Sequence, residues 1–153
     1  MKIENREHLA RVNKQIKEMI GVYRDAVKHL DISESEFWVW YTLVAMEGDH
    51  TQQDICALWS LPKQTVNTAI AHMRLRRYAT LEAMPRTRNR KIIRLTAEGR
   101  RFGEKLVEPI VRAEERALCR IEPEEMAMVA NVFGKYISII REEMLCESEV
   151  AAL

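Results

Sequence analysis

The chain has 153 residues, of which 47% are hydrophobic and 31% are charged, and its formal net charge at pH 7 is +1. This length and composition predict one soluble globular domain with a core of ordinary size. No apolar run approaches the ~20 residues that cross a bilayer, and Met1 to Glu7 is too polar for a signal peptide, so we expect no membrane partner and a cytoplasmic location.

The first predicted element is a long amphipathic helix from about Glu4 to Leu30. Its apolar residues recur at steps of three and four, which is the helical period. They are Leu9, Val12, Ile16, Met19, Ile20, Tyr23, Ala26, Val27 and Leu30.

The second predicted helix, Glu34 to Met46, follows a capping box formed by Ser33 and Glu36. Its crowded aromatic residues predict burial on more than one side of the helix. They are Phe37, Trp38, Trp40 and Tyr41. Core packing is the favoured interpretation of this group, and the lining of an effector pocket is the alternative.

A helix-turn-helix is predicted next. A helix from Thr51 to Trp59 is followed by a break at Ser60-Leu61-Pro62 and by a second helix from Lys63 to about Arg77. The apolar stripe of the second helix consists of Val66, Ala69, Ile70 and Met73. Short amide and hydroxyl side chains, which can hydrogen-bond base edges, occupy much of the remaining surface beside Ala71.

Two short strands, Ala79 to Met84 and Lys91 to Thr96, are predicted to form a hairpin around a tip of residues 85–90. The tip has no acidic residue and contains Arg86, Arg88 and Arg90. Arginine at a loop tip can follow phosphates or enter a narrow minor groove.

Two further helices are predicted, one from Thr96 to about Ile121 and one that begins at Pro123. Pro109 lies inside the former and is expected to kink it. The last helix carries a long apolar stripe. The first and last helices therefore offer more apolar surface than a small domain can cover, and a second copy of the chain is the simplest cover.

Positive charge is concentrated in the middle of the chain. Residues 62–101 contain eleven Lys and Arg against two acidic residues, whereas the segments before and after are net negative. Such clustering is typical of nucleic-acid binding, because a duplex presents closely spaced phosphates. We therefore predict binding to double-stranded DNA, with a pure protein-interaction module as the alternative.

With these features, the chain resembles the MarR family of transcriptional regulators over essentially its whole length. Leu61 to Ile70 is similar to the family's recognition helix, and Ile93 to Arg100 is similar to the return strand of its wing and the start of the next helix. The resemblance implies a single, mainly α domain with a β-hairpin wing. Its winged helix-turn-helix lobe would span residues 33–101, and its dimerisation helices would span 1–30 and 102–153.

The resemblance also implies a homodimer on a pseudo-palindromic operator. Family members often carry a small-molecule pocket between the dimerisation helices and the DNA-binding lobe. Three positions depart from the family pattern. The usual Asp and Arg of the wing are replaced by Thr87 and Asn89, so its supporting carboxylate is expected to be lost. Arg77 replaces a helix-ending Gly and must either adopt a left-handed conformation or end the helix differently. Leu75 replaces a common basic residue.

The predicted DNA-binding residues lie in the recognition helix and the wing. They are Lys63, Gln64, Thr65, Asn67, Thr68, His72, Arg86, Arg88, Arg90 and Lys91. The predicted function is a DNA-binding transcriptional regulator. A DNA-associated architectural or partner-recruiting protein without effector response is the alternative.

An enzyme is not predicted, because no nucleophile has an adjacent base and no phosphate loop occurs. The cysteines, Cys56, Cys119 and Cys146, are widely spaced and indicate neither a disulfide framework nor a zinc site, so no metal or cofactor is predicted. We interpret them as small core residues, with oxidant sensing as the alternative.

Overall fold

A computed structural model describes residues 3–87 and 89–150. Its elements in chain order are α1 (Ile3–Val27), α2 (Glu34–Ala45), α3 (Gln52–Trp59), α4 (Lys63–Leu75), β1 (Ala79–Ala83), β2 (Lys91–Leu95), α5 (Ala97–Leu118) and α6 (Pro123–Val150). The predicted mainly α fold with one β-hairpin is confirmed, and the element ends differ from prediction by a few residues. Among the described residues, no helix is both long enough and apolar enough to span a membrane.

The chain divides into two compact units, Met1–Val111 and Arg112–Leu153. The first unit contains α1 to α4, the hairpin and most of α5. The second contains the end of α5 and all of α6.

Side-chain hydrogen bonds cap the N-termini of α2 and α3. The Ser33 hydroxyl accepts a hydrogen bond from the Glu36 amide (3.1 Å), which is one of the two bonds of the predicted capping box. At α3 the capping box is complete, because the Thr51 hydroxyl accepts from the Asp54 amide and the Asp54 carboxylate accepts from the Thr51 amide. Thr51 is therefore the cap of α3, and the helix itself begins at Gln52.

The core of the first unit is centred on α2 and α4. Phe37 and Trp40 of α2 are completely buried, and so is Val66 of α4, with Ile70 and Met73 each 1% exposed. Burial of a side chain of this size contributes about 1.5–3 kcal/mol. The inward stripe predicted for α4 is confirmed.

A polar and aromatic contact joins α2 to α3. Trp38 stacks on Trp59 with ring centroids 4.2 Å apart. The Trp59 indole donates to the Thr42 hydroxyl (2.7 Å), which donates in turn to the Trp38 carbonyl (2.9 Å). Trp38 and Tyr41 are half-buried within this cluster, which is packed against the core. The aromatic residues thus serve core packing.

The end of α4 reverses the chain into β1. Arg77 adopts a left-handed φ of 59°. The Tyr78 amide then donates to the Met73 carbonyl (2.8 Å), and the Arg77 amide donates to the Arg74 carbonyl (2.9 Å). Of the two alternatives for Arg77, the left-handed one is adopted, at a cost of about 1–2 kcal/mol for a residue with a Cβ.

Contacts of Thr96 and Gly99, between the hairpin and the first turn of α5, explain part of the motif Ile93 to Arg100. The Thr96 hydroxyl donates to the Arg77 carbonyl (2.9 Å) and accepts from the Gly99 amide (3.0 Å). A Cβ on Gly99 would lie 1.9 Å from the Tyr78 carbonyl oxygen. Glycine is therefore required for this close approach of α5 to the end of α4.

Strand β2 is supported on both edges. It pairs antiparallel with β1, with Ala79 opposite Leu95 and Ala83 opposite Lys91. On its other edge, the Ile93 amide donates to the His50 carbonyl (3.0 Å), and Thr51 and Ile92 form a β-bridge. The wing, defined here as residues 79–95, is thus attached to the segment that precedes α3.

In the second unit, α6 leaves most of its apolar side chains exposed. They include Met128, Val129, Val132, Ile137, Ile139, Met144 and Leu145. Cys119, in the turn after α5, and Cys146, on α6, are exposed as well, so their interpretation as core residues is wrong. Cys56 in the first unit is half-buried.

Candidate nucleic-acid interface

Helix α4 presents a continuous exposed stripe on the side opposite the core. The stripe follows steps of four, three and four and consists of Gln64, Thr68, Ala71 and Leu75. Leu75, at its end, is 83% exposed. The residue types change along the stripe from amide and hydroxyl to aliphatic, so the two ends of α4 offer different chemistry.

The residues predicted as contacts on α4 differ in accessibility. Lys63, Gln64, Thr68 and His72 are exposed, whereas Thr65 and Asn67 are half-buried. The Thr68 hydroxyl donates to the Gln64 carbonyl (2.9 Å). Within the described residues, the Asn67 Oδ1 atom is buried without a hydrogen-bond partner. The predicted contacts on α4 are therefore not equally accessible to a ligand.

The tip of the wing carries an exposed arginine. Arg86 adopts a left-handed φ of 62°, and its neighbour Thr87 donates to the Met84 carbonyl (3.0 Å). The Met84 amide donates to the Arg90 carbonyl (3.0 Å) and closes the loop. The predicted contact Arg88 lies outside the described residues.

Arg90 connects the base of the tip to α3. Its Nη2 atom lies 2.7 Å from Asp54 Oδ1 and 3.2 Å from the Thr51 hydroxyl. Both side chains of the ion pair are partly exposed, Arg90 at 39% and Asp54 at 42%. The hydrogen bond from the Thr51 hydroxyl, together with the Arg90 charge, lowers the pKa of Asp54 below its ordinary value, although burial acts in the opposite direction.

A second arginine, Arg94 near the end of β2, pairs with two carboxylates. Arg94 donates through both Nη atoms to Asp49 and through Nε to Glu82 (2.9 Å). These two carboxylates raise the pKa of Arg94. The supporting carboxylate of the wing was expected to be lost, because Thr87 and Asn89 replace the usual Asp and Arg. Other carboxylates pair with the wing arginines instead, namely Glu82 within the wing and Asp49 and Asp54 outside it.

A basic groove separates the helix-turn-helix from the wing. It consists of two cavities of about 840 and 460 Å³ that share Leu81 and Lys91. Its basic residues are Lys63, Arg74, Arg77, Arg90 and Lys91. Among the described residues, Arg90 is the only one of these five that forms an ion pair. Arg74 and Arg77 were not predicted as contacts, and their only sequence signal was their place in the basic segment.

The interface does not resemble a metal centre. Within the described ranges, no group of three or more His, Cys, Asp or Glu side chains is arranged to hold a metal ion.

Several solved structures have a closely similar fold. A MarR family regulator from Neisseria meningitidis matches with a TM-score of 0.78 and 21% identity, covering 90% of this chain and 96% of that chain. S. aureus MepR in its DNA-binding conformation matches with a TM-score of 0.68 and 16% identity, covering 86% and 98%. The PcaV transcriptional regulator from Streptomyces coelicolor, in complex with its natural ligand, matches with a TM-score of 0.60 and 17% identity, covering 90% and 97%. No sequence-family profile and no curated protein matches the chain.

Identities this low define an architecture without transferring a ligand or a partner. The matches nevertheless cover most of both chains. The chain therefore has the winged helix-turn-helix fold of the MarR family regulators.

Proposed function

We propose that the chain is a transcriptional regulator that binds double-stranded DNA as a homodimer at a pseudo-palindromic operator. The observation that carries this proposal is the exposed stripe of α4 beside a groove with four unpaired cations among the described residues. The fold that this chain shares with S. aureus MepR in its DNA-binding conformation supports the proposal.

Helix α4 supplies the base contacts in this proposal. Gln64 can pair bidentately with adenine, and Thr68 can donate or accept at a base edge. Ala71 has a small side chain that permits close approach to the floor of the major groove. Thr65, Asn67 and His72 flank this stripe and make the outer contacts.

The basic groove holds one sugar-phosphate strand. In B-DNA this strand separates the major groove from the minor groove, so a helix in one and a wing in the other must straddle it. Lys63 and Arg74 line the groove from α4, and Lys91 lines it from the wing. Arg86 and Arg88 at the tip reach the minor groove.

A second copy of the chain covers the exposed apolar residues. In α1 these include Met19 and Val22, and in α6 they include Val132, all more than half exposed. A stable interface buries about 800 Å² per partner. A two-fold symmetric dimer also matches a palindromic site, with half-sites ~34 Å apart.

The test starts with selection of preferred duplexes from a random pool, followed by footprinting. Gln64→Ala should then reduce discrimination between operator and random duplex by about 1–3 kcal/mol for each half-site. Arg86→Gln should weaken binding to both duplexes and lower the slope of log K against log salt by about 1.8 for the dimer, about 0.9 for each lost contact. The control Arg11→Gln removes an exposed charge from α1 and should change neither quantity.

Two results would contradict the proposal. Wild-type protein that binds all duplexes equally, without paired half-sites, would favour the architectural alternative. Variants at Gln64 and Arg86 that bind DNA like the wild type would show that α4 and the wing do not form the DNA interface.

A small-molecule effector forms the last part of the proposal, by analogy with PcaV and its natural ligand. Such a ligand must bind two dimer geometries with different affinity, since equal affinity shifts nothing. Calorimetric titration of candidate ligands with and without operator tests this coupling. Equal affinities in both titrations would exclude it.

A further inference from the structure

Arg90 is directed toward α3 and is not a freely exposed cation. Its Nη2 atom donates to both Asp54 and Thr51, and its Nε atom is buried without a partner among the described residues. Because both N–H groups of Nη2 are used in these bonds, that nitrogen can donate to a phosphate only if it leaves one of these partners. The sequence predicted Arg90 as a DNA contact, and its neighbours Arg86 and Lys91 remain exposed and unpaired within the described residues.

The outer end of the wing depends on side chains for its position. A two-stranded hairpin is marginal by itself. The backbone attaches β2 to the segment before α3 at Ile92 and Ile93. Beyond Lys91, the Arg90–Asp54 pair connects the outer end of the hairpin to the helix-turn-helix. Because Asp54 also belongs to the capping box of α3, its carboxylate is held in place by the helix.

We propose that Asp54 and Arg90 are positioning residues for DNA binding, which fix the wing tip relative to α4. Arg90 acts through the placement of Arg86 at the tip, without touching a phosphate itself. This inference rests on the proposed function and adds a negatively charged residue to the DNA-binding machinery.

The negative charge of Asp54 distinguishes a positioning role from a purely electrostatic effect on DNA binding. A carboxylate beside a DNA duplex repels phosphates, so neutralising Asp54 would strengthen binding if charge alone mattered. Screening limits that repulsion at physiological salt, where the Debye length is about 8 Å. Loss of the wing's position removes direct cation contacts. Neutralisation of Asp54 should therefore weaken operator binding.

The experiment compares operator affinity among matched variants. Asp54→Asn, which keeps a hydrogen-bond acceptor for the cap, should bind about three- to tenfold more weakly, the range expected for loss of a well-oriented, partly exposed ion pair. Arg90→Gln should reduce operator affinity by a similar factor. The double variant should bind no more weakly than the single variant with the lower affinity. Asp54→Glu should stay within about twofold of wild type, since it keeps the carboxylate at this capping-box position.

Glu47→Gln is the control, because it removes an exposed carboxylate that has no ion pair within the described residues. Its operator affinity should be unchanged or slightly higher. Asp54→Asn that binds as tightly as the wild type, or a double variant with additive losses, would overturn the proposal.

A measurement without DNA keeps the two proposals separate. Hydrogen exchange of the wing amides over residues 84–92 should accelerate about fivefold or more in Asp54→Asn and Arg90→Gln, while exchange in α5 stays constant. Unchanged wing exchange would overturn the positioning role whatever the DNA result. A wild-type protein that binds no duplex would instead overturn the proposed function.

Discussion

Arg77 stores backbone strain at the end of α4, where its φ is 59°. Arg77→Gly removes the Cβ that disfavours this conformation, worth about 1–2 kcal/mol, and adds chain entropy in the unfolded state, worth about 0.4–1 kcal/mol. We expect a small net increase in the free energy of unfolding. Arg76→Gly is the control, since Arg76 has a φ of −79° and glycine there should only destabilise. Chemical denaturation measures the unfolding free energy of both variants. Equal changes in the two would contradict backbone strain at Arg77.

Asp54 should also contribute to acid sensitivity. Its pKa is lower in the folded state than in the unfolded chain, so its stabilising contribution is complete above its unfolded pKa and is lost as the pH falls through the folded pKa. The stability advantage of the wild type over Asp54→Asn should therefore shrink below about pH 4. Denaturant titrations from neutral to acidic pH test this. A difference independent of pH would contradict it.

Individual residues differ in how far their roles could be predicted. The inward positions Val66, Ile70 and Met73 were predictable, because burial of one helix face imposes the helical period on nearby residues. The Asp54–Arg90 pair spans 36 residues, and the Asp49–Arg94 pair spans 45. No local spacing encodes such contacts, since the folded arrangement of α3 and the wing brings the partners together.

At the level of helices, two glycines should respond in opposite ways to alanine. Gly99→Ala would place a Cβ 1.9 Å from a backbone oxygen, so α5 must shift, and we expect a loss of several kcal/mol in unfolding free energy. The Cβ that Gly21→Ala adds to α1 has no neighbour among the described residues within 4 Å, apart from adjacent residues of its own helix. The higher helix propensity of alanine should raise the unfolding free energy by roughly 0.5–1 kcal/mol. Thermal unfolding followed by circular dichroism compares the two, and a stable Gly99→Ala variant would exclude the close contact.

The order of helices and strands was predictable because caps and periodicity are local signals. Ser33 with Glu36 marks the start of α2 correctly. The support of β2 by residues 49–51 was not predicted, because that segment is too short to show strand alternation. The wing is therefore better attached to its lobe than its own sequence suggests.

For the whole molecule, the exposed face of α6 predicts self-association. Val132 is 64% exposed, so Val132→Glu should leave the stability of the single chain within about 0.5 kcal/mol. The same change should disrupt a dimer, because it would bury an unpaired carboxylate in an apolar interface. Asn131→Glu adds the same charge at an exposed polar position and is the control. Sedimentation at micromolar concentration measures the outcome. A monomeric wild type, or a Val132→Glu variant that sediments as a dimer, would contradict the expectation.

The three tryptophans, Trp38, Trp40 and Trp59, all belong to the unit Met1–Val111. Their intrinsic fluorescence therefore monitors that unit in the intact chain, where Trp40 is completely buried. Far-ultraviolet ellipticity instead sums the helices of both units. If the two melting curves coincide, the chain unfolds as one cooperative body. If ellipticity is lost at another temperature, α6 melts independently, and no extrinsic dye is needed to detect it.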